Sequence, residues 1–166
     1  MASSVEGRAS LLGMQGNLLM NYGLLGGGVA AITGTTAAIV DLDAKLRELQ
    51  AIAGATNGEF NSLRQVVLKT SEDTKFSAVE LAESSVMLAQ VGQSAAEIEK
   101  TLPVISSFAM AVGTDMKNAV DIVTTSLTVF NMNTSQTQRV TNVLTEALNR
   151  SKLSMDQLVL GFQYSA

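Results

Sequence analysis

The sequence contains no cysteine, no histidine, no tryptophan and a single proline. Without cysteine there is neither a disulfide framework nor a thiolate nucleophile, so cysteine usage leaves the redox compartment open. Without histidine the commonest metal ligand and general base is missing. Aromatic residues make up 4% of the chain against 46% hydrophobic residues. Ala, Ser, Thr and Met must therefore fill core positions that rings usually take, which favours thin helices packed closely. The eleven basic residues are scattered and the net charge is −4. That balance argues against holding nucleic acid by clustered phosphate neutralisation, and no sequence-specific nucleic-acid binding is expected. A length of 166 residues suits one domain or a segment of something larger.

Charge is also missing locally, because no side chain between Arg8 and Asp41 is charged. Within that gap Leu18 to Val40 would, as a helix, extend about 35 Å at roughly 1.5 Å per residue, long enough to span a bilayer core of about 30 Å. Its glycines and threonines dilute the Leu, Ile and Val, and Gly26-Gly27-Gly28 would weaken a lone helix in water. Small residues recur every four positions along two ridges: Gly23, Gly27, Ala31 and Thr35, then Gly26, Ala30, Gly34 and Ala38. This spacing lets helix backbones approach and predicts helix–helix self-association. Three readings stand side by side: a buried helix of a soluble assembly, a membrane segment, and a cleaved signal peptide with a poor basic start. Gly26 to Ala31 also matches G-x-G-x-x-A with Glu48 at a ribose-binding distance, but the fingerprint needs a βαβ unit that nothing downstream supplies.

The rest of the chain is a train of short helices opened by one device. Thr56-Asn-Gly-Glu59, Ser77-Ala-Val-Glu80, Ser94-Ala-Ala-Glu97, Ser135-Gln-Thr-Gln138 and Ser154-Met-Asp-Gln157 all read as capping boxes ahead of apolar runs. The expected fold class is all-α. Residues 1–17 form a lead-in. Residues 18–53 form one long helix, apolar and membrane-capable to residue 40 and amphipathic after it, and residues 56–166 form a helical core region. Leu42, Leu46 and Leu49 make a contact stripe, Asp41–Lys45 and Asp43–Arg47 are acid-first i,i+4 pairs, and Gly54 supplies the stop.

The helix after Thr56 turns Phe60, Leu63, Val66 and Val67 inward and is expected to end near Thr70, with Ser71–Lys75 as a polar connection. The next buries Val79, Ala82, Val86 and Ala89, flanked by Leu81 and Leu88, and stops at Gly92. Pro103 cannot donate to a helix ladder, so the helix from Ser94 is expected to pause near Leu102 and a new one to run from Pro103 to Val112, closed by Gly113. Ala119, Ile122, Val123, Leu127 and Phe130 face inward next, and Val140, Val143, Leu144, Ala147 and Leu148 do so after the turn at Asn131–Thr134. A last helix carries Leu158, Val159 and Phe162, and the absence of a stop signal after it suggests a longer natural polypeptide.

These residues resemble the core region of the phage tail tape measure protein family. The matching parts are Leu46-Arg-Glu-Leu49 into Ala51-Ile-Ala-Gly54, Phe76 to Glu83, Leu88 to Gly92, Ser94 to Ile98 and Leu102-Pro103. They continue with Ala111 to Asp115, Ala119 to Val123 through Leu127 and Phe130, Val140 to Leu144, Ala147, Ser151 and Met155 to Leu158. The resemblance covers roughly three quarters of the chain in order and spacing. Val91 departs from the family's usual alanine and Gln93 from its usual apolar residue. The resemblance implies a non-enzymatic structural role: a helical rod in the tail tube that sets tail length and leaves before DNA delivery. It implies as partners other copies of the chain, tail tube and tail-tip or baseplate proteins, and the host membrane.

No catalytic constellation stands out. The serines are helix caps, Glu80 and Glu97 are their capping partners, and Lys152 near Ser151 or Ser154 has no oxyanion feature beside it. Asp115 and Asp121 do not share a helix face, so neither a metal nor another cofactor is expected. Beside the tail role, two readings from other classes remain: a channel-forming membrane protein using residues 18–40, and a soluble helical adaptor.

Overall fold

The structure is a computed structural model that describes residues 32–151, with side chains from Ala38 onward, and the helical positions Gln157 and Gly161. The lead-in 1–17, the part of the long helix before Ile32, the ridge residues Gly23, Gly26, Gly27, Ala30 and Ala31, and the cap at Ser154 lie outside the described residues. Among the described residues there is no strand. The helices are α1 (Ile32–Ala53), α2 (Asn57–Asp73), α3 (Ala78–Gln90), α4 (Ala95–Val112), α5 (Met116–Val129) and α6 (Thr137–Arg150), with a 3-10 turn at Thr134–Gln136 before α6.

The chain divides into two compact units, Met1–Asp43 and Ala44–Ala166, with the boundary inside α1. In the first unit Ile39 and Leu42 are buried, whereas Ala38 and Val40 are exposed. Among the described residues no helix is long and apolar enough to cross a membrane.

The second unit is built around α4, which packs against α2, α3, α5 and α6. Ile98, Leu102 and Ile105 are wholly buried on it, with Phe108 and Ala109 beside them. Burying a Leu, Ile or Phe side chain contributes about 1.5–3 kcal/mol each. This sum explains why the expected break at Pro103 does not occur: Ala95–Val112 is one helix with the proline inside it. A proline costs a helix interior about 3 kcal/mol through a lost N–H bond and a clash with the carbonyl four residues back. Here that carbonyl belongs to Glu99, and both Glu99 and Pro103 are only half-buried, so the damage falls on the side nearer solvent. The hydroxyls of Ser106 and Ser107 donate to the Pro103 carbonyl at 2.9 and 2.8 Å.

Helix ends obey local chemistry. Gly113 takes φ 73°, a left-handed value at which a side chain is strained, and Thr114 N–H then reaches the Ala109 carbonyl at 3.0 Å. Asn131 serves the same purpose at the end of α5 with φ 50°, letting Met132 N–H bond the Leu127 carbonyl at 2.7 Å. Helix α2 runs to Asp73, past the expected end at Thr70, because Lys69 pairs with Asp73 at 2.9 Å and the Thr74 hydroxyl takes up the Thr70 carbonyl at 2.7 Å. On α3, Leu81 and Leu88 are wholly buried rather than flanking, and Val79 is half-buried.

Inward assignments on two helices are corrected. Phe130 is 61% exposed because it is the C-terminal cap of α5, three residues beyond the helix's last buried residue, Leu127. On α6 the buried stripe is Thr137, Val140, Thr141 and Leu144; Val143 is 61% exposed, Ala147 is exposed and Leu148 is half-buried. The helix is rotated so that threonines flank Val140, a phase set by the turn at its start.

Candidate functional site

Among the described residues side-chain hydrogen bonds fasten the helix starts, and one of them reaches across to another element. Each begins at a helix start, where orphan N–H groups need acceptors. At Thr56 and Ser77 the capping box closes both ways. Glu59 and Glu80 accept the cap's N–H at 2.8 and 2.9 Å, and donate their own N–H to the cap hydroxyl at 3.3 and 3.2 Å. At Ser94 only half of the box is closed: Glu97 accepts Ser94 N–H at 2.9 Å and its hydroxyl at 2.7 Å, while Glu97 N–H goes to the Ser94 carbonyl at 3.0 Å.

The second oxygen of Glu97 does something the other boxes do not. It accepts the Thr134 hydroxyl at 2.5 Å, across 37 residues of sequence, and so ties the start of α4 to the turn that starts α6. The cap expected at Ser135 therefore sits elsewhere. Asn133 caps the turn, accepting Ser135 N–H at 2.9 Å while the Gln136 side chain accepts Asn133 N–H at 3.2 Å. Asn is at least as good a cap as Ser, and the N-x-x-Q box two residues earlier is the one Thr134 can anchor.

The Glu97 carboxyl is held below the usual glutamate range, chiefly by the Thr134 hydroxyl, then by the backbone and hydroxyl of Ser94, with Lys100 adding a little and partial burial opposing. A depressed folded-state value means that the ionised form stabilises the fold. Its contribution is complete above the unfolded value of about 4.3 and disappears as pH falls through the folded one. Glu97→Gln is expected to cost roughly 1 kcal/mol at pH 7, the difference between charge-assisted and neutral hydrogen bonds. Urea unfolding of both proteins at pH 7 and pH 3 checks this: the gap should narrow in acid, and a gap that stays constant would remove Glu97 from the account.

A second fastening uses the sequence's departure at Gln93. That side chain is buried at 5% exposure and accepts the Thr101 hydroxyl at 2.7 Å, also buried. The buried polar residue is thus satisfied by a partner on α4, two turns into the helix. Val91, the other departure, is 60% exposed and has room.

The buried hydroxyls are mostly consumed internally. Ser84, Ser85 and Ser126 donate to the carbonyls of Glu80, Leu81 and Ile122 at 2.7, 2.8 and 2.7 Å. So bonded, they pack as small apolar residues. Sequence reasoning did not single them out, although each lies beside or between core leucines and isoleucines at helical spacing.

Of the sequence-predicted site residues, Gly34 lies within α1 and Ala38 is exposed on it, while Leu42, Leu46 and Leu49 are all buried. Lys45 pairs with Glu48 at 3.2 Å and approaches Glu83 of α3 at 4.0 Å. The nearer carboxylate is one turn along α1, so the expected Asp41 pairing is not the one formed. Asp115 caps α5, accepting Asn118 N–H at 2.8 Å. Among the described residues no three acidic side chains come together as a metal site would need.

No solved structure matches the chain. It is 27% identical to a tape measure protein of Pneumococcus phage Dp-1 over 126 residues, which is 76% of this chain and 11% of that protein. The chain therefore spans about a tenth of that relative's length. Residues 64–166, from the middle of α2 onward, match the family described as phage-related minor tail protein. With more than half of its residues matched, the chain belongs to the phage-related minor tail protein family.

Proposed function

We propose that the chain is a region of a tape measure protein, a structural component that occupies the tail tube, sets tail length during assembly and leaves before DNA is delivered. The observation that carries this reading is the similarity over 126 residues to a tape measure protein. A bundle whose buried serines are bonded to their own helices suits a role performed by shape. Its acidic balance, with a net charge of −4, would not retain DNA passing through the same tube. Association with other tail proteins and with further copies of the chain belongs to the same proposal.

The packing bears on how such a region counts length. Fully extended as one helix, 166 residues would reach about 250 Å at roughly 1.5 Å per residue. Folded as described, the second unit contributes no more than about the length of a long helix; α4, with 18 residues, spans about 27 Å. The test is an in-frame duplication of residues 56–151 in the phage gene, with tail lengths measured by electron microscopy. Tails lengthened by a few nanometres or more, with a narrow distribution, are expected. Tails of unchanged length and normal number would sink the length-setting role. The membrane reading draws no support from the described part of residues 18–40, and the adaptor reading has no observation of its own.

A further inference from the structure

The turn that opens α6 carries two capping boxes two residues apart, of which one is in use. Asn133 caps the turn by accepting Ser135 N–H at 2.9 Å, and the Gln136 side chain accepts Asn133 N–H at 3.2 Å. The second box, Ser135-Gln-Thr-Gln138, is not closed, because Ser135 N–H is already taken by Asn133. Ser135 and Gln138 are both exposed, and the Gln138 amide donates along the helix to Asn142 at 3.0 Å. Asn and Ser are about equal as helix caps, so the two boxes differ little in themselves. What separates them is the Thr134 hydroxyl, which reaches Glu97 on α4 at 2.5 Å and holds the 3-10 turn wound. The buried hydroxyls of α6 are spent within the turn and the helix: Thr137 and Thr141 donate to the carbonyls of Thr134 and Gln138 at 2.6 and 3.0 Å.

We propose that this turn is a two-position latch. With Thr134 on Glu97 the cap is Asn133. When that bond is released the 3-10 turn unwinds, Ser135 becomes extended and takes over as the cap, and the Gln138 side chain turns back to accept its N–H. One box replaces the other, so the start of α6 can leave α4 without exposing an uncapped helix end, whose orphan N–H groups would otherwise oppose the move. The device is particular to α6. Within two residues of Thr56, Ser77 or Ser94 no other Ser, Thr, Asn or Asp is followed three positions later by Glu or Gln, so those helix starts have one cap each.

Four versions of the full 166-residue chain test this: the parent, Ser135→Ala, Thr134→Val and the two substitutions together. Valine keeps the shape of threonine, so Thr134→Val removes the hydroxyl and with it the bond to Glu97. In the parent, where Asn133 is the cap, Ser135→Ala should leave the urea midpoint unchanged. In the Thr134→Val chain, where Ser135 is the cap, the same substitution should lower the midpoint by about 0.5 M, the usual worth of a cap divided by a typical urea slope. The backbone carbon chemical shifts of Ser135 give a second reading: helical in the parent, extended in Thr134→Val, and helical again in Thr134→Ser, which keeps the hydroxyl. A Ser135→Ala effect of equal size in both backgrounds, or Ser135 shifts that stay helical in Thr134→Val, would overturn the proposal.

Discussion

Leu102→Ala is expected to lower the free energy of unfolding by about 2–5 kcal/mol, the range for deleting a large side chain from a packed core. Leu102 is wholly buried on the helix that four others enclose, so the cavity it leaves has walls from several elements and little freedom to collapse. For a region of this size such a loss is a large fraction of the whole, since domains are stable by only about 5–15 kcal/mol. Urea unfolding tracked by circular dichroism measures it, and the midpoint should fall with little change in slope. A change below about 0.5 kcal/mol, well under the range for a packed core, would mean that α4 is not the centre of the bundle.

Pro103→Ala, one residue along, should act in the opposite direction. Alanine restores an N–H that can donate to the Glu99 carbonyl and removes the ring from that carbonyl's path, recovering much of the roughly 3 kcal/mol that an interior proline costs. Part of the gain is offset because alanine leaves the unfolded chain freer, by about 0.4–1 kcal/mol. A net rise of about 1–2 kcal/mol is the expected result by urea unfolding. Since Pro103 is only half-buried, the missing ring carbons leave no sealed cavity to cancel it. A loss of stability would show that the proline shapes the helix in a way its neighbours need.

The contrast between these two residues shows which parts of the fold can be read from sequence. Helix starts at Thr56, Ser77 and Ser94 are legible because a cap and its glutamate are three residues apart and satisfy each other without help from the rest of the chain. Stops at Gly92 and Gly113 are legible for the same reason, each taking a positive φ. Continuity through Pro103 is not local: it depends on Ile98, Leu102, Ile105 and Phe108 being enclosed by other helices, which outweighs the proline's own preference.

The phase of α6 is not local either. Two overlapping caps, Asn133 with Gln136 and Ser135 with Gln138, are about equally good by sequence. The choice between them rests on a bond from Thr134 to Glu97, far away in the chain. That choice turns Thr137 and Thr141 inward and leaves Val143 and Ala147 at the surface, so a rule that puts every aliphatic residue inside misplaces the helix face. The hydroxyl-rich interior reflects the scarcity of aromatic residues, but which serines and threonines enter it depends on the packing.

The central physical claim is that the second unit keeps its form by enclosing α4 among α2, α3, α5 and α6. Amide hydrogen exchange on the full chain tests it most directly, since protection rises with the free energy needed to open each site. The amides of Ile98, Leu102, Ile105 and Ala109 should be the slowest in the chain and exchange only through global unfolding, with those near the exposed end of α6 markedly faster. Exchange at these four positions as fast as at Asn149 and Arg150 would contradict the account, because α4 would then be a helix among others and not the one the bundle is built on.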